Sequence, residues 1–139
     1  MTYPSSRSLP RIVLAADDHD RLVNIATTAL RRDPDVAEEL LAELDRAAVV
    51  PNEAVPPDVV RMGSVVTFRI DGGDTRTVTL VFPGEADMAQ NKLSILTPVG
   101  AALIGLAQGQ SIAWLTPGGQ SRRLSVVTVS PPRDDSAAA

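Results

Sequence analysis

The sequence predicts an α+β protein: an antiparallel helical hairpin, forming a short coiled coil, followed by a sheet domain that carries one helix. Three observations predict it. Two amphipathic stretches lie back to back between Asp17 and Val49. A proline-rich break, PNEAVPP, covers Pro51–Pro57. Beyond it, short alternating apolar runs are punctuated by turn residues, with one helix-like segment among them.

After a polar lead, Arg11–Ala16 (RIVLAA) reads as an extended segment. Asp17 or Asp18 is placed to cap a helix running to about Arg32, with Leu22, Ile25, Ala26, Ala29 and Leu30 on one face. Asp33-Pro34 opens a second helix, an N-cap residue followed by proline in the first turn, and its stripe of Val36/Ala37, Leu40/Leu41, Leu44 and Ala47/Ala48 carries it to about Val49. So short a connection brings the two helices back against each other. Proline at 51, 56 and 57 ends the second helix and excludes a central strand, which sets a boundary between a hairpin at 11–50 and a domain at 58–130, each expected to have its own core.

In the second segment, Ser64–Ile70 and Thr75–Phe82 flank Asp71-Gly72-Gly73-Asp74, a hairpin signal. Pro83–Asn91 is a polar loop. Leu93–Leu96 alternates as a half-buried strand that stops where Thr97 can cap a helix and Pro98 can take its first position. Val99, Leu103 and Leu106, flanked by Ala102 and Ile104, supply that helix with an apolar side, and Gly105 and Gly109 turn the chain out of it. Ser111–Thr116 and Arg122–Val129 are strands joined by a turn at Pro117-Gly118-Gly119. The end, 131–139 (PPRDDSAAA), has no apolar periodicity and reads as a disordered tail.

Composition narrows the function. With no cysteine, the chain has neither a disulfide framework nor a thiolate metal site. A net charge of -4 and only four aromatic residues (Tyr3, Phe68, Phe82, Trp114) oppose direct nucleic-acid binding, which needs clustered cations or stacking surfaces. The Phe residues and Trp114 fall in predicted strands and are assigned to the core. No stretch is apolar enough to cross a bilayer and the start lacks the apolar centre of a secretory signal, so the expected setting is cytoplasmic, with no membrane partner. No catalytic set emerges: His19 is the only histidine, Lys92 the only lysine, and no glycine-rich phosphate loop follows a strand. The run Asp17-Asp18-His19-Asp20 carries metal-ligand residue types, but consecutive residues at a helix start point in different directions and read as capping and dipole compensation. No metal, cofactor or intrinsic catalysis is expected. The acidic face Glu38, Glu39, Glu43 and Asp45 reads as solvated surface.

The run T-P-V-G-A-A-L-I-G from Thr97, then A-Q-G-Q and T-P-G-G, resembles the C-terminal domain of the Gre transcript-cleavage factors. A-E-L-D-R-A at Ala42–Ala47, V-P-P-D-V-V-R-M at Val55–Met62 and P-V-G-A-A-L-I-G-L at Pro98–Leu106 are similar to the regulator of nucleoside diphosphate kinase (Rnk) family, Gre homologues with a shortened coiled coil. The resemblance implies an FKBP-like second domain and a regulator that binds core RNA polymerase near its secondary channel. It also implies a link to nucleoside diphosphate kinase levels. The family docks through the strand-to-helix turn, here Leu96, Thr97, Pro98 and Val99, with Leu96 where Gre factors commonly have an acid. Gre factors further use an Asp and a Glu three residues apart at the hairpin tip to hold a magnesium ion in the polymerase. Asp35 and Glu38, beside Asp33 at the tip, have that spacing. Arms of roughly 15 residues reach only ~22 Å, about half the family's length, so these acids are expected to favour the helix N-terminus rather than support cleavage. Two other readings remain: an FKBP-like peptidyl-prolyl isomerase, which needs an aromatic-lined pocket, and a helical-hairpin adaptor that uses the Val36/Leu40/Leu44 stripe.

Overall fold

The computed structural model describes residues 10–115 and 120–132, apart from the side chains of Trp114 and Leu115. The turn expected at Pro117–Gly119, the tail from 133 onward and the core placement of Trp114 lie outside the described residues.

Strand β1 (Val13–Ala15) runs into helix α1 (Ala16–Ala29). Asp17 and Asp18 sit within the first turn rather than at the cap, which falls on extended Ala15. Both carboxylates still favour the positive end of the helix. The Arg32 and Asp33 amides donate to the Ala29 carbonyl and close the turn into α2 (Pro34–Arg46). Asp33 holds the N-cap position but makes no side-chain capping bond, so Pro34 and the backbone start this helix. Helix α1 buries Leu22, Ala26 and Ala29, and α2 buries Val36, Ala37, Leu40 and Leu44. Ile25, expected among the buried set, is only half-buried.

Helix α2 stops three residues short of the expected Val49. Ala47 is extended, and Ala48–Val50 form β2, paired in parallel with β1 (Val13 opposite Ala48, Ala15 opposite Val50). The reason is tertiary. The Ala48 amide donates to the Ile12 carbonyl at 2.9 Å, and β-branched Val49 and Val50 suit a strand once a partner exists. Ala47 and Ala48 fit the helical stripe equally well, so the stripe concealed the end.

The second segment is a five-stranded sheet in the order β5-β4-β3-β7-β6. Its strands are β3 (Val65–Ile70), β4 (Thr75–Val81), β5 (Lys92–Ser94), β6 (Ser111–Leu115) and β7 (Ser121–Ser130). Neighbours are antiparallel except β4–β5, which is parallel. The turn between β3 and β4 forms as expected, with Asp71 and Gly72 at positive φ. Asp71 accepts from the Arg123 amide and the Arg122 guanidinium, each at 2.9 Å, and so ties this turn to β7. The Arg123 amide and then Arg122 hold the Asp71 carboxyl below its ordinary range.

Helix α3 (Pro98–Leu103) lies between the helix pair and the sheet. Leu103, Ile104 and Leu106 are fully buried. One hydrophobic cluster joins Leu22, Ala26, Leu40 and Leu44 to these residues and to Val66, Phe68, Leu80 and Leu124 of the sheet. The proline-rich break divides the chain but not the core, contrary to the expectation of two cores. Even the break is tied down, since Val55 is buried with Ala15 and Val59, and Asn52 accepts from the Asp17 amide at 3.1 Å.

Candidate functional site

The turn from β5 into α3 is held by its own side chains. Ile95, fully buried, donates its amide to the Val81 carbonyl at 2.9 Å and anchors the turn to the sheet. The Ser94 hydroxyl accepts from the Leu96 amide at 3.0 Å. Thr97 does two things at once: its hydroxyl donates to the Ser94 carbonyl at 2.7 Å and accepts from the Gly100 amide at 3.0 Å. It is the N-cap read from the sequence, with Pro98 in the first turn. Gly100 completes the arrangement, because a Cβ there would collide with the Ser94 carbonyl oxygen. Leu96, Thr97, Pro98 and Val99 are all half-buried, so a rigid turn presents a mixed apolar and polar edge at the surface.

Beside this turn lies an open groove of about 490 Å³ lined by Asn24, Ile25, Thr28 and Ala29 of α1, by Arg32 and Asp33 in the turn after it, and by Leu96. The structure thus brings Leu96 of the β5–α3 turn and Asp33 of the helix-pair tip to one surface feature. Asp35 and Glu38, exposed on α2, do not line it. Ile25, Thr28 and Arg32 were missed in the sequence. Ile25 carried the only signal, as an apolar residue that the helical spacing assigned wholly to the core.

The acidic and histidine run at the start of α1 disperses, as the directions of consecutive helical residues require. Asp17 meets Asn52, Asp18 accepts from the Met62 amide at 3.3 Å, and His19 donates from Nε2 to the Leu44 carbonyl at 3.0 Å. Among the described residues no group of three or more metal-ligating side chains assembles. Asp18 and, on the next turn, Arg21 instead join α1 to the sheet segment. Burial pushes the Asp18 carboxyl up, against the opposing pull of the Met62 amide, Arg61 and Arg21. Arg21 lies over the Phe82 ring, 4.5 Å from its centre. On the outer face of α2, burial and the nearby Glu43 and Asp35 raise Glu39.

Two other expectations meet the geometry here. Phe68 is buried in the core, Phe82 lies under Arg21, and none of the residues lining the groove is aromatic. Val36, Leu40 and Leu44 are buried within the protein, which removes that stripe as an adaptor surface. Among the described residues no helix is long and apolar enough to cross a membrane.

Comparison with known proteins agrees with this layout. Residues 55–131 match the family model described as transcription elongation factor GreA/GreB, C-terminal, and residues 10–50 match the Rnk N-terminus. The chain is 40% identical over 121 residues to the regulator of nucleoside diphosphate kinase of Escherichia coli K12, covering 86% of this chain and 89% of that protein. It is 29% identical over 114 residues to the transcription elongation factor GreA of Oceanobacillus iheyensis, covering 78% of this chain and 72% of that protein. A solved structure of a GreA/GreB transcription elongation factor from Nitrosomonas europaea superposes with a TM-score of 0.68 at 43% identity, over 87% of this chain and 98% of that one. With an Rnk-type N-terminal segment joined to a GreA/GreB C-terminal segment across nearly its whole described length, the chain belongs to the Rnk branch of the GreA/GreB family.

Proposed function

We propose that this protein is a cytoplasmic transcription regulator that binds core RNA polymerase near the rim of its secondary channel, without stimulating transcript cleavage and without catalysis of its own. The observation that carries the reading is the prebuilt turn Leu96–Val99. Its shape is held by Ser94, Thr97 and Gly100, so little order has to be gained on docking. The sheet segment serves as the FKBP-like docking domain, and α1 and α2 form a hairpin shortened relative to a cleavage factor. At 13 residues, α2 is about 20 Å long at 1.5 Å per residue. Asp35 and Glu38 then fall short of a metal ion deep in the channel, where ligand oxygens must come within bonding distance. The link to nucleoside diphosphate kinase carried by the name of the Escherichia coli relative follows as an indirect effect through transcription.

Interferometry with purified core polymerase tests the docking. Binding that an authentic Gre factor displaces is expected, and Pro98→Glu should weaken it while the fold persists. Absence of binding at tens of micromolar, weaker than about -6 kcal/mol, overturns the docking. On stalled elongation complexes the protein is expected to compete with cleavage factors and to release no RNA fragment. Robust cleavage abolished by Asp35→Ala would show that the tip acids do reach the active site.

A further inference from the structure

We infer that the uncovered side of the sheet carries a site for a small phosphate-type oxyanion, held between the guanidinium groups of Arg69 and Arg123 with the Ser125 hydroxyl beside them. The inference is independent of the docking reading above.

Three observations carry it. First, the sheet segregates charge. Strands β3, β4, β6 and β7 hold none of the chain's 17 acidic residues but carry Arg69, Arg76, Arg122 and Arg123, in a chain whose net charge is -4. Strand alternation sends Arg69, Arg123 and Ser125 to the side opposite the buried Phe68, Leu124 and Val126. Arg69 faces Ser125 in register, and Arg123 is its diagonal neighbour, about 7–8 Å away and within reach of two long side chains. The two acids of the β3–β4 turn do not cancel this pair. Asp71 gives one carboxylate oxygen to the Arg123 amide and the other to the Arg122 guanidinium, and Asp74, which precedes Thr75, alternates to the side of Arg76.

Second, Arg69 is half-buried on a central strand, yet among the described residues no hydrogen bond or ion pair holds its guanidinium, and its Nε is buried without an acceptor. A cation fixed by its neighbours and left without a counter-charge is completed by an oxyanion, whose paired oxygens match the guanidinium fork. Third, a hydroxyl stands ready beside it. The Ser111 and Ser125 hydroxyl oxygens lie 2.8 Å apart, so when Ser111 donates to Ser125, the Ser125 proton is free to turn toward an anion. Two cations and an O–H donor suit a doubly charged oxyanion with three or more oxygens better than a single carboxylate. The exposed side of β3, β4 and β7 has no aromatic residue on which a base could stack, which favours a small oxyanion over a single-stranded nucleic acid.

The test is an NMR titration of the full chain, at constant ionic strength, with inorganic phosphate, pyrophosphate and a thymidine octanucleotide. It is repeated on Arg69→Gln, Arg123→Gln, Ser125→Ala and Arg76→Gln, and the amide spectrum itself reports that each variant is folded. Phosphate and pyrophosphate are expected to cause saturable shifts centred on Arg69, Arg123 and Ser125. Arg69→Gln and Arg123→Gln should each weaken binding about tenfold, and Ser125→Ala about fivefold. Arg76→Gln removes the same charge from the same end of the sheet, but in register with Phe68 on the other side, and should change binding less than about twofold. If it weakens binding as much as Arg69→Gln does, bulk charge is responsible and the site is overturned. Shifts that remain linear up to about 20 mM, or that scatter over the whole surface, overturn it as well. If the octanucleotide shifts these residues and pyrophosphate does not, the face follows a polynucleotide and the small-oxyanion site is overturned.

Discussion

Asp18 shows how one residue can read one way along the chain and act another way in space. In the sequence it belongs to a capping cluster; in the structure its carboxylate reaches the amide of Met62, 44 positions away. Burial raises its pKa above the ordinary value of 3.8, so the folded protein holds the Asp18 proton more tightly than the unfolded chain does. Its contribution to stability is therefore fully present below that ordinary value and is lost as the pH rises through the folded one. Asp18→Asn keeps an oxygen for Met62 and removes the charge. Its urea midpoint at about pH 7 is expected to equal or exceed that of the unaltered protein, and the difference should shrink as the pH falls toward about 4. A midpoint lower by the same amount throughout that range would show that the charge attracts Arg61 and Arg21 more than burial penalises it. Thr97 stands at the opposite extreme, because its capping role was fully legible: the contacts of an N-cap lie within three residues.

At the scale of elements, the segments that stop for local reasons were legible and those that stop for distant ones were not. The β3–β4 turn is encoded by Asp71-Gly72-Gly73, and α3 by its cap, its proline and Gly105, whose φ of +82° ends the helix region beside Ile12. The end of α2 depends on β1, a strand 35 positions earlier in register, and no local pattern announces it. Helix α3 has only 6 residues and is too short to persist without packing, so its stability comes from the apolar side chains it buries. Leu103→Ala, at a fully buried position, is expected to cost about 2–5 kcal/mol in chemical denaturation. An unchanged midpoint would mean that α3 contributes little to the core.

For the whole molecule, the shared core changes what a substitution in the helix pair should do. Two cores separated by the proline-rich break would let the sheet segment outlast damage to the helices. Leu40 of α2 instead packs in the same cluster as Leu80 and Leu124 of the sheet. Leu40→Ala is therefore expected to lower the helical circular dichroism and tryptophan fluorescence transitions together, by an amount typical of a large cavity, about 2–5 kcal/mol. Separation of the two transitions, with only the helical one shifted, would restore the picture of independent units.

The sequence by itself determined the order of helices and strands apart from β2, the β3–β4 hairpin, the capped turn at Thr97-Pro98 and the family resemblance, because each depends on residues within a few positions of one another. Tertiary structure alone decided that β1 and β2 pair, that Asp18 binds across to Met62, that the helix pair and sheet share one core, and that Ile25 and Arg32 face Leu96 across a groove. All four join segments far apart along the chain. Periodicity states which face of a helix is apolar, but not which part of that face its neighbours leave uncovered.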